Sequence, residues 1–301
     1  MIMATGDPQP TRLVWAIAVC FAMVLLGACN AQPLVTRPVS GDTYDRVMKT
    51  GVIRCSYIVY PPYCMKDPNT GKLSGVFVEA MEQAATNLSL KAEWTEEVGY
   101  DSLFQGLETN RHDVFAGGLW PNAERARAGE FTIPIFYSAI RAYGRTDEHR
   151  FKNLDGINSS DVTIAVLDGA IEDHIARADY PKAKRFSIPQ LTPFSQNLHN
   201  IVAHKADLTF AEPGMIDLFL KTNPGTLKEL APDKPVRIFG NAFVVKLGDV
   251  RFKNMLNATL DEMVNDGAVD KLLKKYEPGP NVFLRVALPY REDSTRRSVR
   301  L

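Results

Sequence analysis

Short apolar runs of strand length alternate with segments of helical spacing along most of this chain. Val52 to Val59 is a β-rich run that stops at Pro61-Pro62. A turn follows at Asp67 to Gly71, and Val76 to Leu88 then places Phe77, Met81, Ala84, Ala85 and Leu88 at helical intervals. Leu90 to Trp94 returns as a strand, Asp101 is placed to cap a helix carrying Leu103, Phe104 and Leu107, and Asp113 to Ala116 is a further strand. The order repeats in outline. Strands are expected at Val162 to Leu167, Arg185 to Ile188 and Ala206 to Phe210, with helices at Ile171 to Ala178, Ser195 to Ala203 and Ile216 to Lys221. Such alternation predicts an α/β protein with mainly parallel sheets covered on both faces.

Two extended segments, Ser138 to Gly144 and Val236 to Phe243, stand between the repeats and can cross from one lobe to the other. Two helices, Val250 to Asp266 and Ala268 to Tyr276, interrupted at Gly267, then return to the first lobe and make it discontinuous in sequence. The expected division is a first lobe of 44–140 plus 241–278, a second lobe of 141–240, and a C-terminal tail of 279–301 whose basic end at Arg296 to Arg300 reads as disordered.

The amino-terminal end changes the picture of location. Leu13 to Ala28 is continuously apolar after Arg12, short for a membrane span and suited to the core of an export signal. It closes in Leu26-Gly27-Ala28-Cys29, which resembles the lipobox of bacterial lipoproteins. That implies a signal peptide over 1–28, lipidation of Cys29, a membrane anchor and a polar tether over 29–43; an uncleaved anchor helix is the other reading. Cys20 would leave with the signal. Cys55 and Cys64 remain as an even pair in an oxidising compartment, expected to form a disulfide, with two buried thiols as the alternative.

Composition mostly excludes. The 35 basic and 35 acidic side chains cancel, which gives no electrostatic argument for nucleic acid. The five histidines are scattered without ligand spacing, so neither a metal site nor a cofactor is expected.

The candidate chemistry sits at two strand ends. The first apolar strand breaks at Gly117-Gly118, which lets a ligand approach the backbone closely, and Arg125 follows with a planar fork of donors matched to a carboxylate. Much later, Lys205-Ala-Asp207-Leu-Thr-Phe-Ala-Glu212 is another Asp-led strand ending in a single carboxylate beside Pro213. A zwitterion held between the two is the simplest guest. Each residue also has a plainer reading: Arg125 as a surface arginine, Glu212 as an exposed helix-start carboxylate.

From Val52 to Tyr276 the chain resembles the family 3 extracellular solute-binding proteins, the amino-acid-type receptors of bacterial ABC importers. The resemblance is carried by Ile53-Arg54, Tyr60-Pro61-Pro62-Tyr63, Gly71 to Glu79, Leu107 to Asp113, Glu124-Arg125, Phe131 to Pro134 with Tyr137, Lys205 to Asp207, and Asn265-Asp266-Gly267 through Tyr276. It implies a two-lobed periplasmic binding protein type II fold with two crossover strands. It also implies a small amino-acid-like ligand, an ABC transporter permease as partner, and no chemistry on the ligand. Arg125 stands where the family grips an α-carboxylate, Glu212 where it holds the α-ammonium, and Tyr60 where an aromatic stacks on the guest. The chain departs from the family where hydroxyls assist the arginine. Gly118 and Trp120 replace a Ser or Thr pair, and Ala170-Ile171 replaces a Thr pair, which leaves backbone N–H groups for the anion and favours a guest with an aromatic, cationic or hydrophobic portion. Two other readings remain. One is a dehydratase like the cyclohexadienyl dehydratases, with Glu212 or Glu79 as proton donor; the other is a ligand-sensing lipoprotein acting through a partner.

Overall fold

The computed structural model describes residues 42–151, 153–279 and 282–286. The signal segment, Cys29, most of the tether and the basic end of the tail lie outside the described residues. The strands are β1 (Val52–Tyr57), the short pair β2 (Met65–Lys66) and β3 (Leu73–Ser74), β4 (Lys91–Glu97), β5 (Val114–Leu119), β6 (Gly129–Phe131), β7 (Phe136–Arg145), β8 (Thr163–Leu167), β9 (Lys184–Ile188), β10 (Leu208–Ala211), β11 (Leu227–Glu229), β12 (Arg237–Lys246) and β13 (Phe283–Arg285). The helices are α1 (Thr43–Thr50), α2 (Val76–Asn87), α3 (Ser102–Glu108), α4 (Ile171–Asp179), α5 (Ser195–Val202), α6 (Pro213–Thr222), α7 (Val250–Asn265) and α8 (Ala268–Tyr276).

The main strand order is β4-β1-β5-β12-β7-β10-β8-β9. At one end β1 runs parallel to β4 and β5; at the other β8 runs parallel to β9 and β10. The two parallel halves are joined by β7 and β12, each ten residues long and antiparallel to its neighbours. β12 pairs with β7 through Arg237 to Asn241 and with β5 through Ala242 to Val245, so one strand serves both halves. β7 does the same, pairing with β12 through Phe136 to Ile140 and with β10 through Arg141 to Gly144. These are the two crossings expected from the extended segments, and the architecture is the two-lobed type II fold.

Burial follows the pattern that formed the strands. β8 and β10 are almost wholly buried, as parallel strands covered on both faces must be. The edge strand β4 instead exposes Lys91, Glu93, Thr95 and Glu97, charges and a hydroxyl that discourage pairing with another chain. The two Asp-led strands share a device. Asp113 accepts the Arg54 N–H at 2.7 Å and so ties the start of β5 to β1; Asp207 accepts the Thr163 N–H at 2.7 Å and ties β10 to β8. Both carboxylates also hold arginines, Asp113 with Arg54 and Arg46, Asp207 with Arg150.

Within the expected tail of 279–301, β13 adds antiparallel to β7 and buries Phe283 against Tyr63 and Phe136 at ring separations of 5.4 and 5.2 Å. One expectation is corrected here: Cys55 and Cys64 are not bridged, and both are buried free thiols, the alternative reading. The Cys55 thiol turns to the carbonyl of Ile53 at 3.6 Å within the main core, whereas Cys64 belongs to a separate apolar cluster with Tyr57 and Val78. Burial pushes the Cys64 thiol up to about 12, so it stays protonated and inert.

Candidate functional site

The carboxyl ends of the parallel strands of both halves meet across one crevice, which is where open α/β sheets place their ligands. From the first half, β1 leads to Ile58 and Tyr60, and β5 delivers Gly117, Gly118, Leu119 and then Trp120. From the second, β8 leads through Gly169 to the start of α4 at Ile171 and Glu172, and β10 ends at Glu212. Of the residues named from sequence, Tyr60, Gly118, Trp120, Arg125, Ile171 and Glu212 line a single narrow cavity, together with Tyr63, Phe77, Tyr100, Glu172 and Asn241. Its room for water-sized occupants is about 20 Å³, enough for roughly one water.

Arg125 opens a short 3₁₀ turn, Arg125–Arg127, and its N–H is fixed by the Asn122 side chain at 2.8 Å. Its guanidinium is buried. It donates to the carbonyl of Trp120 at 3.2 Å and, across the crevice, to the carbonyl of Gly169 at 3.1 Å, with the Tyr100 ring 5.9 Å away. It is therefore not a surface arginine.

Glu212 precedes α6 with Pro213 as the first helical residue, yet its side chain makes no capping bond. It turns inward, is 2 % exposed, and accepts the Tyr60 hydroxyl at 2.6 Å from the opposite half. Burial pushes its carboxyl up to about 7, against the pull of the Tyr60 hydrogen bond. Tyr60 is held in an aromatic stack on Tyr63 (5.6 Å) and edge-on to Phe194 (5.8 Å).

Gly118 has φ +70°, and a Cβ there would lie 1.8 Å from Cζ of Phe77. The close approach that demands glycine is thus to Phe77 as well as to the cavity. Trp120 stacks on Phe239 at 5.0 Å and donates from its indole N–H to Asn241 at 3.0 Å, which in turn donates to Ser138 at 2.9 Å. One of its faces is taken by packing in the second half's core.

Ala170 corrects the sequence reading. It packs in the core and does not line the cavity, and its N–H is already given to the Leu167 carbonyl at 3.1 Å. The anion-holding role expected of that amide has no free donor. Glu79, the other proton-donor candidate, lies elsewhere, bound by Lys275 at 2.6 Å and by the Tyr276 hydroxyl. Partial burial pushes its carboxyl up, but those hydrogen bonds prevail and hold it below its ordinary value.

Glu172 was not singled out by sequence. It sits in the first turn of α4, 1 % exposed, accepting the Leu167 N–H at 2.9 Å. Burial pushes its carboxyl up to about 8, the Leu167 N–H opposing and the charge of Glu212 adding.

Beside this narrow cavity, and sharing Ile58, Tyr60 and Tyr100 with it, is a groove of about 670 Å³ walled by Pro61, Leu191, Phe194, Leu198, Met215, Leu218 and Phe219. Among the described residues no cluster of three or more metal-ligating side chains occurs.

Against known families, residues 53–279 match the model of the bacterial extracellular solute-binding proteins, family 3. The chain belongs to that family. A probable amino-acid ABC transporter-binding protein of Haemophilus influenzae is 24 % identical over 234 residues, 77 % of this chain and 87 % of the relative. The cyclohexadienyl dehydratase of Pseudomonas aeruginosa is 27 % identical, covering 83 % of this chain and 88 % of the enzyme. Among solved structures, the L-cysteine solute receptor of Neisseria gonorrhoeae shares the fold with a TM-score of 0.70 at 18 % identity, over 82 % of this chain and all of the receptor.

Proposed function

We propose that this chain is the extracytoplasmic solute receptor of an ABC importer and captures a small amino-acid-like molecule between its two halves. The observation that carries the reading is the shared cavity, in which a cation from one half, Arg125, and a carboxyl from the other, Glu212, face the same interior. Arg125 takes the carboxylate of the guest as a bidentate partner; Glu212, released from Tyr60, takes its ammonium. A cavity sized for one water cannot admit an amino acid until the halves part along β7 and β12. Entry therefore requires opening, and contacts drawn from both halves favour the shut state by their differential affinity. The groove beyond Tyr60 and Tyr100 falls in the size range of small-molecule sites and offers an apolar path for a side chain.

The finer location belongs to the same reading: Cys29 carries a lipid, the residues after it tether the receptor to the membrane, and a permease recognises the shut form. The test is a thermal-shift screen of amino acids, opines, polyamines and aromatic acids, since a ligand of the folded state raises the melting temperature by mass action. A panel without any shift would count against capture.

A dehydratase is the second reading, favoured by one observation, a buried carboxyl at Glu212 that faces the cavity beside the Tyr60 hydroxyl and that burial pushes up to about 7. Prephenate or arogenate incubated with the protein distinguishes the two: aromatic product supports the enzyme, and none supports capture alone.

A further inference from the structure

We infer that β13 is a strap across the joint of the two halves, and that Val282 and Phe283 are positioning residues for the Tyr60–Glu212 link in the crevice. The positioning stands on protein contacts alone; its consequence for a guest rests on the capture reading.

Over Phe136 to Ser138, β7 pairs with β12 on one edge and with β13 on the other. That second edge is the one that carries β10 at Arg141 to Gly144. Both β10 and β13 run antiparallel to β7, so they lie head to tail along it, with Ala211 opposite Arg141 and Phe283 opposite Ser138. Between them the chain leaves β10 through Glu212 and turns into α6. The start of β13 thus faces the stretch that carries the crevice carboxyl.

Val282 and Phe283 each bear on one partner of the link. Phe283, 1 % exposed, packs its ring on Tyr63 at 5.4 Å, and Tyr63 stacks on Tyr60 at 5.6 Å. Val282, also buried, meets the first turn of α6: a Cβ at Gly214 would lie 3.2 Å from its Cγ1, so the two surfaces are in tight contact. Gly214 stands two residues after Glu212. The ring of the donor is therefore held through Phe283 and the backbone of the acceptor through Val282. A hydrogen bond of 2.6 Å tolerates little displacement of either.

Charge holds the strap to the first half. The Phe283 N–H donates to Glu277 at 3.0 Å, and Arg285 meets both oxygens of Glu277 at 2.8 Å each and Asp270 of α8 at 3.1 Å. Such bidentate pairing fixes direction as well as position. From that anchorage Val282 reaches α6 of the second half. Its contact with Gly214 and the Tyr60–Glu212 bond join the same two halves side by side.

The test is a double-mutant cycle, read by urea denaturation of the purified full-length protein at pH 7.5, that pairs Tyr60→Phe with Phe283→Leu. Tyr60→Phe removes the hydroxyl and keeps the ring, so the stack on Tyr63 remains and packing alone predicts additive effects. Positioning predicts that the midpoint shift caused by Tyr60→Phe in the wild type shrinks to about half or less in the Phe283→Leu background. Arg285→Gln, at the exposed end of the strap, repeats the cycle without opening the core and should shrink the same shift, which keeps the test where Phe283→Leu folds poorly. Amide hydrogen exchange reads the acceptor side: in Val282→Ala the segments Tyr60–Cys64 and Ala211–Met215 should exchange about threefold faster or more, with β8 and β9 unchanged. A Tyr60→Phe shift that is zero in the wild type or equal in every background, or faster exchange confined to β7 and β13, overturns the positioning and makes β13 ordinary packing. Neither measurement uses a ligand, so that result leaves capture standing, and a panel in which no amino acid binds overturns capture and leaves the positioning standing.

Discussion

Tyr60 and Glu212, 152 positions apart in sequence, are joined by a 2.6 Å hydrogen bond that runs from one half of the molecule to the other. The hydroxyl lies on the segment after β1 and the carboxyl at the end of β10, so the bond spans the crevice. It is one of several such links. Arg125 to Gly169, and the Asp101 N–H to Gln190 at 3.2 Å, also cross.

Tyr60→Phe removes the hydroxyl while keeping the aromatic stack. A neutral hydrogen bond contributes about 0.5–1.5 kcal/mol and one to a charged group about 1.5–3 kcal/mol; burial pushes this carboxyl up to about 7, so the loss should fall between the two, at about 1.5 kcal/mol. Urea denaturation at pH 7.5 checks it; an unchanged midpoint would mean that the contact adds nothing to the shut state.

The two buried carboxyls also set a pH dependence. Each has a folded value above its free value of 4.5, about 7 for Glu212 and about 8 for Glu172. Between those limits the folded chain holds more protons than the unfolded one, so their contribution is complete below about 4.5 and is lost as pH rises through 7 and 8. The ligand-free wild type should therefore weaken from pH 5 to 8.5 more steeply than the Glu172→Gln, Glu212→Gln double variant. Parallel stability curves would show that these groups titrate normally.

Arg125→Ala should lose binding of carboxylate guests and also cost about 1–3 kcal/mol, because the carbonyls of Trp120 and Gly169 are left without their donor. An arginine that touched only the ligand would lose binding with unchanged folding. Comparing the melting temperatures of the ligand-free proteins separates the two outcomes, and equal values would place the guanidinium outside the interlobe contact.

At Gly118 a methyl group meets the Phe77 ring and the backbone has a positive φ. Gly118→Ala should destabilise by about 2–4 kcal/mol through overpacking and strain together. Chemical denaturation measures this, and a cost under about 0.5 kcal/mol would show that the Phe77 side gives way freely.

The scaffold was largely legible because its signals are local. Helix α2 was expected over Val76 to Leu88 and spans Val76–Asn87; the crossings expected at Ser138 to Gly144 and Val236 to Phe243 are Phe136–Arg145 and Arg237–Lys246. That Arg125 and Glu212 line one cavity is legible because each ends or follows an apolar strand. What failed depended on tertiary contact. Glu172 was hidden by its place in a helix's first turn, where acidic residues are common for their interaction with the dipole; its position two residues past Ala170-Ile171 was the signal that could have found it. β13 is three residues long and gains its stability from packing Phe283 on Tyr63, which no local pattern reports. Pairing of Cys55 with Cys64 was inferred from their count, and count carries no information about side-chain direction.

The most direct measurement is isothermal calorimetry of an amino-acid panel against the wild type and Arg125→Ala. The account predicts that at least one carboxylate-bearing amino acid binds the wild type and that its affinity falls at least a hundredfold in the variant. Binding of no panel member, or equal affinity for both proteins, would contradict it.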